Sequence, residues 1–183
     1  MDKNSIGLIE LSSVAIGFLV TDTMLKAADV DLLINRTICS GKYMILVAGP
    51  VAAVQASVAA GAEAGGASVI DTCLIPNVDP ALFPAISGTV LIRNKDAMGI
   101  VESFSVAALI EGADAAVKAG DVQLLEIRLA MALGGRAFVR MTGNVAAVEA
   151  AVEAGAAVVA RRGLLVSKVV IPAPVDEIYG ETI

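Results

Sequence analysis

Apolar and polar positions change period along the chain in a fixed order. Residues 6–11 (IGLIEL) form an apolar run of strand length. SSVAIGFLVTDTMLKAA then spaces its apolar residues near the helical period, with Ser12 or Ser13 placed to cap the helix. DLLINRTI returns to strand character, CSGK is small enough for a tight connection, and YMILVAG is another strand. PVAAVQASVAAGAEAGG predicts a helix with Pro50 in its first turn, and SVIDTCLI a closing strand. The order is strand, helix, strand, strand, helix, strand.

The same order is written a second time. Residues 6–36 lie over residues 98–128 without a gap, so that Gly7, Glu10, Ser13, Asp22, Lys26 and Arg36 return as Gly99, Glu102, Ser105, Asp114, Lys118 and Arg128. After a two-residue insertion in the second copy, Gly41, Gly49 and Val51-Ala52-Ala53-Val54 return as Gly135, Gly143 and Val145-Ala146-Ala147-Val148. After another, Ile75-Pro76 returns as Ile171-Pro172. This is a tandem duplication, and it sets the architecture. Each copy predicts an α+β domain in which a split βαβ arrangement forms an antiparallel sheet with both helices on one face, the ferredoxin-like plan. The first domain is placed at residues 1–86, a linker at 87–97 and the second domain at 98–183. The connection as a whole, residues 77–97, is interrupted by Pro80, Pro84 and Gly88.

Composition narrows the class. The 183 residues are 57% hydrophobic and only 3% aromatic, so the core is built from Ala, Val, Ile and Leu. Ala-rich helices pack close and predict thin subunits that bury their edges by oligomerising. A net charge of −6 offers no basic face for phosphate contacts, which argues against nucleic-acid binding. The uncharged segment YMILVAGPVAAVQASVAAGA has the length of a membrane span. Gly49-Pro50 interrupts it, and its repeat partner AFVRMTGNVAAVEAAVEAGA carries Arg140, Glu149 and Glu153. Two copies of one fold should share a solvent, so the expectation is a soluble cytoplasmic protein with no membrane segment; MDKNSIGLIELSS lacks the pattern of a secretion signal.

Two cysteines and no histidine limit the chemistry. Cys39, in RTICSGKY, has no histidine to serve as its base, so nucleophilic catalysis of the Cys-His or Ser-His-Asp type and His-ligated zinc are excluded. Cys73 lies in an apolar strand and reads as a core thiol, and a Cys39–Cys73 disulfide is disfavoured in the cytoplasm. Glu10 and Glu102 end equivalent first strands; their recurrence favours structural hydrogen bonding over acid–base work. GAEAGGAS lacks the Lys-Ser/Thr end of a phosphate loop. Lys26 and Lys118 read as solvated helix-face charges, and Ser40-Gly41-Lys42 is compatible with an ordinary surface turn.

The pattern G-x-I-E-x-x-S-x-A, then D-x-M-x-K-A-A-x-V, a short Ser-Gly loop, G-x-V-A-A-V and a closing I-P resembles the bacterial microcompartment (BMC) shell-protein domain. It begins at Gly7 and again at Gly99, in unpermuted order, and covers nearly the whole chain. With RTICSGKY, the tandem pair is most similar to the trimeric shell proteins of propanediol-utilisation microcompartments. The resemblance implies a structural protein that is not an enzyme, a homotrimer of six-fold appearance that tiles with other BMC shell proteins into a sheet, its pore lined by Ser40, Gly41, Lys42, Gly134 and Gly135. It also implies a 4Fe–4S cluster, one per trimer, on three copies of Cys39, suited to electron transport or cluster delivery and to an encapsulated redox enzyme as partner. Ser40 and Gly41 permit close approach and offer N–H groups to cluster sulfides, and Lys42 would ease a nearby thiolate. Lys26 and Lys118 acquire a role at the tile edge. The family's Arg-Pro after the closing I-P is absent here, where Asn77 and Ala173 stand instead. Two rival readings are a metal-free metabolite pore narrowed by Cys39 and a ferredoxin-like regulatory domain with a small ligand between its repeats.

Overall fold

The computed structural model describes residues 4–131 and 133–180. The chain divides into two units, the first running to Val78 and taking in the segment Ala130–Gly135, the second comprising Asp79–Leu129 and the chain from Arg136 onward. In the first unit the elements are β1 (Ser5–Leu11), α1 (Val14–Ala27), β2 (Asp31–Ile38), β3 (Lys42–Gly49), α2 (Val51–Gly65) and β4 (Val69–Pro76). A short helix α3 (Leu82–Ser87) precedes the second set: β5 (Ala97–Ser103), α4 (Val106–Ala119), β6 (Gln123–Leu129), β7 (Ala137–Gly143), α5 (Val145–Arg161) and β8 (Leu165–Ile171).

Each sheet is antiparallel, ordered β2-β3-β1-β4 in one unit and β6-β7-β5-β8 in the other. This is the expected ferredoxin-like plan. The capping signals act where the sequence places them: the Ser13 hydroxyl accepts the Ile16 N–H and the Ser105 hydroxyl accepts the Ala108 N–H. Pro50 stands one position earlier than expected, as the N-cap of α2. Asn144 takes that place in the second repeat, and its side chain accepts the Ala147 N–H at 2.9 Å.

Alternation along the strands decides which residues meet the helices. In the first unit Ile9, Leu11, Tyr43, Ile45 and Val47 form one core with Val20 and Met24 of α1 and Val54 of α2. In the second, α4 and α5 cross in backbone contact. A Cβ at Gly112 would lie 2.9 Å from the Gly155 carbonyl oxygen, and one at Gly155 would lie 2.8 Å from that of Gly112. Small residues at the crossing let the Ala-rich helices approach this closely.

The segment 77–97 holds more than a connection. Leu82 and Ala85 of α3 are buried, and the Asp79 N–H donates to Asp114 Oδ1 at 2.8 Å, so this stretch packs within the second unit. At the other end of that unit a 3₁₀ turn, Asp176–Tyr179, places Tyr179 against Met98 and Leu125. The Tyr179 hydroxyl donates to the Asp96 carbonyl, and Lys95 pairs with Asp176 at 3.4 Å.

Candidate functional site

The β2–β3 hairpin explains the conformation of the cysteine loop. Ile38 is paired with Lys42, which leaves Cys39, Ser40 and Gly41 to reverse the chain. Ser40 (φ 67°) and Gly41 (φ 72°) are both left-handed. Such turns match the right-handed twist of the flanking strands. Glycine accepts this conformation freely, whereas Ser40 holds it at a cost of about 1 kcal/mol. Cys39 is half-buried at the start of the turn.

The corresponding loop of the second repeat joins β6 to β7 and carries the two-residue insertion. Gly134 (φ 60°) and Gly135 (φ 89°) are left-handed, and so is Ala130 (φ 50°). Ala130–Gly135 belongs to the first unit, where the Ala130 carbonyl accepts the Cys39 N–H at 3.0 Å. The two loops named from the sequence are thus brought together in one unit, and the residue joining them, Ala130, carried no sequence signal.

Lys42 opens β3. Its Nζ donates to Glu10 Oε1 at 2.7 Å, and the Glu10 side chain is only 5% exposed. This pair balances the Lys42 charge within the sheet. Arg136, the Lys42 equivalent, donates to Glu102 Oε1 at 3.2 Å and stacks over Phe104. The structural role expected of Glu10 and Glu102 is therefore an ion pair repeated in both domains.

Lys26 pairs with Asp22 at 2.6 Å and Lys118 with Asp114 at 2.5 Å, the same (i, i+4) bridge in each repeat. Lys26 is mostly exposed, whereas Lys118 meets an Asp114 that is 7% exposed and already accepts the Asp79 N–H. Cys73 is buried on β4 opposite Leu8, as a core thiol should be.

One chain offers no complete metal site among the described residues: no group of three or more His, Cys, Asp or Glu comes together. The donor chemistry at Cys39 fits an iron–sulfur ligand, a partly buried cysteine in a turn of small residues, but it is one thiolate of the several that a cluster needs. Among the described residues no helix is long and apolar enough to cross a membrane.

The helix faces add a second feature. On α1, Phe18 is 61% exposed and Leu19 53%, while Ile110, the Phe18 equivalent on α4, is wholly buried. Equivalent positions of two homologous domains thus differ in what covers them.

Comparison with known proteins identifies the family. The BMC domain matches residues 5–78 and again 97–174. Over 181 residues, 99% of this chain and 98% of the relative, the sequence is 39% identical to the bacterial microcompartment shell protein PduT of Citrobacter freundii. A crystal structure of a microcompartment protein from Desulfitobacterium hafniense DCB superposes with a TM-score of 0.90 at 50% identity, covering 95% of this chain and 97% of that one. A fused permuted hexameric shell protein of the RMM microcompartment, 23% identical, shares the fold with a TM-score of 0.63 over 85% of this chain and 81% of its own. The chain belongs to the BMC-domain family of bacterial microcompartment shell proteins, as a tandem, PduT-like member.

Proposed function

We propose that this shell protein assembles as a pseudohexameric homotrimer whose three copies of Cys39 hold one 4Fe–4S cluster at the central pore. The observation that carries the reading is the placement of Cys39: half-exposed in a left-handed turn between β2 and β3, flanked by Ser40 and Gly41. A three-fold axis multiplies one thiolate to three and leaves one iron open to a further ligand. Such a group supplies one-electron chemistry, which suits electron transfer or cluster delivery across the shell to an encapsulated redox partner.

The exposed α1 face supports the ring. Phe18 and Leu19 are apolar and uncovered, yet their helix is equivalent to one whose apolar face is buried. In a head-to-tail ring the next chain covers this face, and a heterologous contact that closes forms a ring. Burying a Phe side chain contributes about 1.5–3 kcal/mol per contact. Tiling with other shell proteins then uses the outer edge of the ring, where Lys26 and Lys118 are assigned.

Anaerobic reconstitution with iron and sulfide tests the cluster. Wild type should develop visible charge-transfer absorption at one cluster per trimer, and Cys39→Ser should not. Equal spectra would remove the cluster and leave a metabolite pore.

A further inference from the structure

We infer that Ala130 is a positioning residue for Cys39: its carbonyl, aimed by a left-handed backbone, pins the cysteine loop of the first repeat from the pore loop of the second. The inference deepens the proposed role of Cys39 as a cluster ligand and rests on that reading for its purpose, though not for its geometry.

Three observations converge on it. Ala130 is one of three non-glycine residues at positive φ among the described residues, and Ser40, in the cysteine loop itself, is another. A left-handed alanine persists where surrounding contacts determine it, and such residues gather at functional loops. The contact is specific: the Ala130 carbonyl accepts the Cys39 N–H at 3.0 Å. Finally, Ala130 is wholly buried and grouped with the first unit, whereas the β6 strand it follows belongs to the second.

The chemistry of the cysteine loop follows from the bond. The Cys39 N–H is engaged by the Ala130 carbonyl and is therefore held away from any ligand on the sulfur. Fixing the amide fixes the Cα–Cβ direction of Cys39, and convergence of three thiolates on one small group depends on that direction. The second repeat carries no cysteine in this loop. On this inference its contribution is the carbonyl that holds the first.

The test compares Ala130→Val with Ala130→Gly in the full-length protein. Valine disfavours the left-handed region through its branched Cβ, while glycine accepts it. Alkylation of Cys39 by iodoacetamide should run about threefold faster in the valine variant, as the loop opens locally, and at the wild-type rate in the glycine variant. Equal rates in all three proteins would overturn the inference. Buried Cys73 reports folding, since it should stay unreactive. Should the valine variant expose Cys73, hydrogen exchange at the Cys39 amide of the wild type decides: protection supports the pin, and exchange at the rate of an open loop overturns it. Cluster loading is read in parallel. If no variant or wild type takes up iron and sulfide, the ligand reading fails, and the alkylation rates still judge the pin.

Discussion

Lys42 Nζ lies 2.7 Å from Glu10 Oε1, and the duplication reproduces the pair as Arg136 and Glu102 at 3.2 Å. In each sheet the base stands two residues before the one directly opposite the glutamate, Met44 for Glu10 and Phe138 for Glu102. That diagonal places both side chains on one face of the sheet. The two pairs differ in burial: the Glu10 side chain is 5% exposed and that of Glu102 is 29% exposed.

Glu10→Gln should therefore destabilise the first unit by about 1–3 kcal/mol, because it leaves Lys42 beside a buried amide. Glu102→Gln should cost the second unit less than about 1 kcal/mol, in the range of solvated pairs. Urea unfolding followed by tyrosine fluorescence separates the two, since Tyr43 reports the first unit, Tyr179 the second, and the chain has no tryptophan. Equal losses in both units would contradict the burial argument.

Space and conformation give opposite reasons for two glycines near the same hairpin. A Cβ at Gly17 would lie 2.3 Å from Tyr43 Cδ1 and 2.8 Å from its Cβ, so Gly17→Ala must displace a buried ring. The expected loss is about 1–3 kcal/mol. A Cβ at Gly41 meets nothing within 4 Å, but φ is +72°, and Gly41→Ala should cost about 1 kcal/mol through backbone strain alone. Denaturation midpoints order the two variants, and a near-neutral Gly17→Ala would show that Tyr43 can shift.

The legible part of this protein was what the duplication repeats. Apolar periodicity located the strands and long helices, and the matched Ser13 and Ser105 marked both helix starts before any coordinates were needed. Helix α3 was missed because LFPAIS is six residues long, holds a proline and has no partner in the other repeat. Ala130 escaped for a related reason. It lies where the repeats differ in length, and its bond to Cys39 joins residues far apart in sequence, which periodicity does not encode. The partner of Lys42 was hidden until strand register placed Glu10 on the same face, although the recurrence of Glu10 as Glu102 pointed to a shared structural task.

The uncovered face of α1 separates assembly from folding. Phe18→Lys places a charge where the side chain is already 61% exposed, so helical content by circular dichroism and the unfolding midpoint of the monomer should be unchanged. Native mass spectrometry should show trimers replaced by monomers, because each ring contact loses a buried aromatic and gains an unpaired charge. The equivalent Ile110→Lys should by contrast lower the unfolding midpoint, since Ile110 is wholly buried. Trimers that persist in Phe18→Lys would place the contact elsewhere.

Lys26 and Lys118 occupy equivalent positions with unequal local attachments. Lys26 and Asp22 are both exposed, with side chains 75% and 57% accessible, so removing Lys26 should change monomer stability by less than about 0.5 kcal/mol. Asp114 is nearly buried and carries both Lys118 and the Asp79 N–H. Lys118→Ala leaves that carboxylate with less compensation and should cost about 1–2 kcal/mol, loosening the approach to α3. Lys26→Ala is consequently the clean probe of the tile edge. If lysine at this position joins neighbouring trimers, Lys26→Ala should suppress sheet formation in electron micrographs while trimer mass and unfolding midpoint stay at wild-type values. Sheets of normal extent would assign Lys26 to its (i, i+4) pair with Asp22 alone.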